Sequence, residues 1–260
     1  MAKRNKTARK LIIAVFWLVI WQAISLLVHN SVLLVGPVET LSTLVHMLPK
    51  HSFQVSVLGT TLRVCAGFAA GSLIGIVMAG AAYKLPLVRE LLGPVIGLMK
   101  SIPVASFVII LIIWFGSPML SFFVTLIVVL PILYISTLEG LLSTDKGLLE
   151  MAEVFHMGKT QRIRGIYLPQ LYPHFTSALS LASGMAFRSG IAAEVIGQPL
   201  GSLGNELYRA KIYLETDRVL AVTLTSVFLA WALTRIIGLI LGLYDKRHNN
   251  LSSSGGHRGN

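Results

Sequence analysis

Charged side chains are scarce in this chain, and the few that interrupt its apolar runs are where chemistry would sit. Arg188 lies near the middle of GMAFRSGIAAEVIG, and Glu194 follows six residues later. A charge inside a membrane-length run is costly, so it marks a solute or ion path or a structural pair. At 1.5 Å per residue the two are roughly 9 Å apart along a helix and on different faces, so they do not simply pair with each other. Arg63, in an earlier apolar run, falls at a similar depth and is the candidate partner of Glu194. Arg188 reads either as a cation in a permeation path, attracting anionic solutes, or as a snorkelling or structurally paired arginine. Ala178, Ala182, Ala186 and Gly190 recur every four residues and form a small-residue face leading to Glu194. Lys100 and Arg235 lie nearer run ends and read as snorkelling.

Catalytic patterns are absent. The sequence has no H-E-x-x-H, no G-x-S-x-G, no Walker A loop and no close pair of carboxylates within an apolar run. A single cysteine, Cys65, excludes an internal disulfide and a multi-cysteine metal site. His156 and His174 stand alone, the pattern of hydrogen-bonding rather than metal-ligating histidines. The expectation is no enzyme, no cofactor and no metal.

The other unusual stretch is polar, EMAEVFHMGKTQRIRGIYLP at 150–169. Asp145 or Ser143 can cap a short helix, with Leu148, Leu149, Ala152 and Phe155 on one face. Gly158 is the expected stop, Lys159, Arg162 and Arg164 follow, and Pro169 and Pro173 open the next run. A compact amphipathic helix on a basic loop between two spans is a docking element, its basic side chains suited to an acidic surface or lipid headgroups.

The elements that position these residues must live in a membrane. The 260 residues are 54% hydrophobic and only 13% charged, with a mean hydropathy of +0.74. About 25% charged residues is usual for a soluble domain, so this chain cannot clothe a soluble surface. The net charge of +11 fits basic cytoplasmic loops better than a nucleic-acid partner. Apolar runs place spans at 11–28, 56–83, about 91–114, 120–138, 174–196 and 219–243. The first follows a basic segment, 1–10, but has signal-anchor length and no A-x-A site, so it reads as an uncleaved helix. A short amphipathic helix fits 38–48. Gly67, Gly71, Gly75 and Ala79 repeat every four residues in the second span, a stripe that lets helix backbones approach in lipid. FGSPML at 115–120 breaks the long third run, and Pro103 and Pro131 should kink their helices.

Six spans with the N-terminus inside put fourteen basic residues in the cytoplasm and four outside, at 50, 209, 211 and 218, with 63, 100, 188 and 235 in or near spans. That obeys the positive-inside rule and makes the central loop cytoplasmic. The expected organisation is a basic N-terminus at 1–10, a first span and outer segment at 11–55, a core at 56–243 with a cytoplasmic loop at 139–172, and a disordered cytoplasmic tail at 244–260.

Three stretches in order carry a family resemblance. Glu150-Met151-Ala152, with Ile166, Leu168 and Pro169, resembles the E-A-A…G…I-x-L-P motif of permease subunits of bacterial binding-protein-dependent ABC importers. His156 stands where that motif has glycine, and the next glycine is Gly158. KSIPVASFVIILIIWFG (100–116) and AAEVIGQPLGSLGNELYRAKIYLETD (192–217) are similar to the nitrate, sulfonate and taurine branch of the family. The resemblance covers about 36–243 and implies an all-α integral membrane protein of the type I ABC importer permease fold with about six spans. It implies that Glu150, Met151, Ala152, Phe155, His156, Gly158, Leu168 and Pro169 form a coupling segment that docks on a separate ATP-binding subunit. It also implies a location in the cytoplasmic membrane, a second permease subunit and an extracytoplasmic solute-binding protein. Arg188, Glu194 and Arg63, the charges within spans, are the candidates for the translocation path. The solute class implied is a small anion such as a sulfonate, nitrate or taurine. A pyrimidine or thiamine-precursor substrate and, in another class, a self-sufficient secondary transporter are the alternatives.

Overall fold

The computed structural model describes the backbone of residues 2–255 and the side chains of residues 9–242. Most of the described residues are helical, in the order α1 Ala2–Val28, α2 Pro37–Met47, α3 His51–Lys84, α4 Pro86–Ser101, α5 Val104–Phe115, α6 Leu120–Leu142, α7 Lys146–Val154, α8 Lys159–Arg162, a π-helical turn Ile163–Tyr167, α9 Leu168–Gly197, α10 Leu203–Ile212 and α11 Thr216–Gly255. The expected disordered tail falls largely on residues whose side chains are not described, and 256–260 lie outside the described backbone.

The core is the packing of α3 and α9 against α6. The expected glycine stripe explains the first contact. A Cβ on Gly71 would stand 2.9 Å from the Leu126 carbonyl oxygen, and one on Gly75 would stand 2.6 Å from that of Leu130. Gly67 meets the Phe122 carbonyl in the same way, so three turns of α3 lie directly on the α6 backbone. Ala79, fully buried, continues the stripe. The second contact is the alanine face: Ala178, Ala182 and Ala186 are buried with Val129 and Leu133 of α6, and the Thr125 hydroxyl donates to the Ala186 carbonyl (3.3 Å).

Among the described residues four helical stretches are long and apolar enough to cross a membrane: Arg9–Val28 of α1, α3, α6 and Thr216–Gly242 of α11. The third expected span is not one helix. It breaks at Ile102–Pro103 into α4 and α5, which meet at 103° and count together as a fifth span or a re-entrant pair. Pro103 has no N–H for a continuing helix and drives Ile102 out of the α region, to φ −73° and ψ 129°. The fifth expected span is α9, thirty residues long. Its serines, Arg188 and Glu194 keep it below membrane hydropathy, and its position explains why that is tolerated: α3, α5, α6, α10 and α11 all pack on it. Protein, not lipid, surrounds most of it. The break at FGSPML is as expected, with Gly116 at φ +70° closing α5 before α6 begins.

Two ends of the bundle follow from connectivity. One carries α7 and α8, between α6 and α9; the other carries α10, between α9 and α11.

Candidate functional site

Glu194 is paired as the matching depth of the two charges suggested. Its side chain is 0% exposed and meets the guanidinium of Arg63 at 3.1 Å. Oε1 accepts from Arg63 Nε and Nη2 (3.3 and 3.1 Å) and from the Ser121 hydroxyl (2.9 Å). Oε2 accepts from the Thr60 hydroxyl (2.7 Å) and the Gly204 amide (3.3 Å). Arg63 also donates to the Gly201 carbonyl (3.1 Å), and Thr60 accepts the Leu203 amide (2.9 Å). One carboxylate thus ties α3, α6, α9 and the start of α10 together. A buried charge persists only when its lone pairs are this fully met. Gly204 is part of the arrangement, since its backbone lies against Glu194 with no room for a side chain.

Arg188 is different. It is exposed and has no hydrogen-bond or ion-pair partner among the described residues. It is the one charged residue lining a cavity of about 360 Å³ between α9, α10 and α11, alongside Phe187, Ile191, Thr223 and Ser226. Of the three candidates for a translocation path, Arg188 lines a cavity; Glu194 is enclosed, and Arg63 is committed to it. Around Arg188 runs an uncovered stripe of α9. Ser177, Leu181 and Arg188 are exposed and Gly184 half-buried, and a Cβ on Gly184 would meet nothing within 4 Å. Spacings of four, three and four residues put all of these on one helical face.

The segment at 145–169 is a helix, a turn and a second helix. Asp145 is the N-cap, its carboxylate accepting from the Gly147 amide (2.8 Å), while Ser143 instead ends α6. The Asp145 amide donates to the Gln170 side chain (3.0 Å), which ties α7 to α9. At the other end the His156 amide donates to the Glu153 carbonyl (3.0 Å) and the Met157 amide to the Ala152 carbonyl (2.9 Å). With His156 at φ +49°, this is a Schellman turn whose left-handed residue is histidine. The expected stop at Gly158 is corrected: Gly158 has φ −63° and begins α8 instead, with its amide donating to Gln161 (3.1 Å). The turn stays at the motif's glycine position, and a side chain occupies it.

The apolar face of α7 also differs from expectation. Ala152 is fully buried, but Phe155 is 73% exposed and points away with Met151 and Val154. Leu148 and Leu149 are half-buried, and Glu150 and His156 exposed. Arg162 does not face outward with Lys159 and Arg164. It donates to the carbonyls of Met157 (3.1 Å) and Ala152 (3.2 Å), closing the end of α7. Past Gly158, an open concavity of about 590 Å³ is lined by Phe155, Met157, Thr160, Gln161, Arg164 and Gly165. The π turn then leads into α9, the Leu168 amide donating to the Ile163 carbonyl five residues back. This widened turn makes room for Pro169, whose ring would otherwise crowd the carbonyl four residues before it.

Residues 71–250 match the family described as the inner membrane component of binding-protein-dependent transport systems. The chain belongs to that family. It is a transport component of the cytoplasmic membrane rather than an enzyme, and the systems it belongs to work with a solute-binding protein and an ATP-binding subunit. This permease is 27% identical over 176 residues, 67% of its length and 71% of the relative's, to a probable ABC transporter permease protein of Haemophilus influenzae. It is 27% identical to a putative aliphatic sulfonates transport permease protein, SsuC, of Bacillus subtilis, over 85% of this chain and 83% of that one. It is also 27% identical to the taurine transport system permease protein TauC of Escherichia coli, over 80% and 78% of the two chains. Among solved structures it shares its fold with a crystal structure of an amino acid ABC transporter with histidines, at a TM-score of 0.56, 17% identity and coverage of 75% of this chain and 94% of that one.

Several residues of these sites carry no sequence signal. Thr60 and Ser121 are ordinary hydroxyls within spans, Val154 falls between the motif positions, and Arg162 looks like any loop cation. Gln170 could have been found only by knowing that α7 folds back on α9.

Proposed function

We propose that this permease forms the path for a small anionic solute of the sulfonate or taurine type, with α7 as the element on which the ATP-binding subunit docks. The α7 end of the bundle is then cytoplasmic, as the distribution of basic residues requires. Arg188 is the observation that carries the solute class. An arginine with no partner among the described residues is costly against lipid at mid-helix, which supports reading the uncovered stripe of α9 as part of an aqueous path completed by a second permease subunit. The two relatives are named for aliphatic sulfonates and for taurine, which share the sulfonate group that an arginine would attract.

Met151, Val154 and Phe155 support the docking role of α7. They form an exposed apolar face on a helix whose two ends are fixed by Asp145 and Arg162, and a polar loop of a membrane protein has no lipid to cover them. Glu150 and His156 flank this face, and Gly158, Leu168 and Pro169 follow it toward α9. A self-powered carrier would need an intramembrane acid free to exchange a coupling ion, and the saturated hydrogen bonding of Glu194 disfavours that. Glu150→Lys is expected to abolish uptake and release the ATP-binding subunit while the permease still inserts. Normal uptake from a well-expressed variant would remove the docking role.

A further inference from the structure

The helix that leads from α8 into α9 carries two prolines in its interior. α8, the π turn and α9 run on without a break, because Arg162, Ile163, Tyr167 and Leu168 at the two joins all keep right-handed helical angles. Pro169 and Pro173 therefore do not stand at a free helix start. Neither has an N–H to give the carbonyl four residues before it, that of Gly165 and that of Pro169, and the two gaps lie on one face. Gly165, inside the π turn, adds the most permissive backbone available. Neighbouring elements hold this stretch instead. The hydroxyls of Tyr83, at the end of α3, and Tyr167 meet at 3.3 Å, their rings edge to face at 5.9 Å. The Asp145 amide reaches Gln170 (3.0 Å), the Tyr172 hydroxyl donates to the Leu241 carbonyl of α11 (3.0 Å), and the Ser136 hydroxyl of α6 donates to the His174 carbonyl (3.0 Å). On either side the chain is stiff. Arg162 binds the carbonyls of Met157 and Ala152 and makes α7 and α8 one body, and Ala178 and Ala182 fix the rest of α9 in the core.

We propose that residues 163–173 are a hinge between the α7–α8 body and the rest of α9, and that the Tyr83–Tyr167 hydrogen bond is its latch. A helix with an intact ladder would carry α8 and α9 as one rod, whereas prolines and π turns are where long helices bend. The latch is the longest of the four bonds, 3.3 Å against 3.0 Å. It joins two half-buried hydroxyls that water can satisfy once they part. It also ties the π turn to α3, the helix laid directly on α6, so opening it frees the α7–α8 body from the core while Asp145 and Gln170 keep α7 pivoted on α9. The inference rests on the reading of α7 as the docking element, and adds a movable joint between that element and Arg188.

The test uses the full chain assembled with its ATP-binding subunit in lipid nanodiscs. In a Cys65→Ser background, spin labels on cysteines at Lys159 of α8 and Ser180 of α9, both exposed, report the distance across the hinge by pulsed electron resonance. Trapping with ATP and vanadate is expected to change that distance, and Pro169→Ala combined with Pro173→Ala, which restores both ladder donors, should hold it fixed. Tyr83→Phe and Tyr167→Phe keep the ring contact and remove the bond. Each should raise ATP hydrolysis in the absence of solute-binding protein about fivefold, the effect of one net hydrogen bond. The double variant should go no further, since either hydroxyl alone completes the latch, and all three should elute as the native chain does. A distance that trapping leaves unchanged in the native chain, or that still changes in the double alanine variant, overturns the hinge. Native hydrolysis in both phenylalanine variants, or additive effects in the double, overturns the latch. If Glu150→Lys releases the ATP-binding subunit while the native distance stays fixed on trapping, the docking role stands and the hinge falls. If Glu150→Lys leaves the subunit bound and the uptake normal, the docking role falls and the hinge loses its purpose with it.

Discussion

Glu194 shows what a buried charge needs at the scale of one residue. Its two oxygens accept from two Arg63 nitrogens, two hydroxyls and one backbone amide. In Glu194→Gln one oxygen becomes an amide nitrogen, which would point a donor either at Arg63 or at the Gly204 amide. Loss of stability of about 3–5 kcal/mol is expected, the usual result of breaking a buried pair from one side. Thermal unfolding in detergent checks it, and a melting temperature like that of the native chain would contradict it. His156 predicts a change of opposite sign. Its φ of +49° suits glycine, so His156→Gly should stabilise the α7 turn by about 1 kcal/mol. A lower melting temperature would show that the imidazole makes up for its backbone. The pairing of Arg63 with Glu194 was legible because two rare charges fell at one depth. The hydroxyls that complete it were not, since a threonine in a span looks the same whether or not it meets a carboxylate. The position of the α7 turn was misread for a related reason. Glycine is the default left-handed residue, so Gly158 attracted an assignment that backbone hydrogen bonding gives to His156.

Among the elements, α3 and α6 form the contact on which the others are laid, and it depends on having no side chains in it. Gly71→Leu would place its Cβ 2.9 Å from a backbone oxygen of α6, where neither helix can yield easily. Overpacking of this kind costs about 1–3 kcal/mol or more. The expected outcome is a sharp fall in folded yield, read by monodisperse elution, whereas Gly80→Leu, with open space around it, should elute as the native chain does. Equal yields would contradict backbone-to-backbone packing. The four-residue stripe made this contact legible in advance. The α4–α5 bend was not legible to the same degree: Pro103 announced a break, but hydropathy measures length and carries nothing about direction, so a 103° corner and a kinked span look alike. For α9 the low hydropathy that blurs it as a span is the signature of its central place, because a helix enclosed by five others need not be apolar outside.

The whole molecule is asymmetric in what it leaves uncovered. One face of α9 carries Ser177, Leu181 and Arg188, exposed, and Gly184, half-buried, while the opposite face, with Ala182 and Ala186, is fully buried. The proposed path along α9 rests on that asymmetry, and reactivity along the helix tests it most directly. In a Cys65→Ser background, single cysteines at Ser177, Leu181, Gly184, Arg188, Ala182 and Ala186 would be treated with a charged, membrane-impermeant thiosulfonate in membranes containing the assembled transporter. A thiol reacts only where water lets it ionise, so lipid-facing and packed positions stay silent. Labelling at 177, 181, 184 and 188, slowed by a transported anion, with none at 182 and 186, is the result expected. Silence at all four stripe positions, or equal labelling on both faces, would contradict an aqueous path along α9.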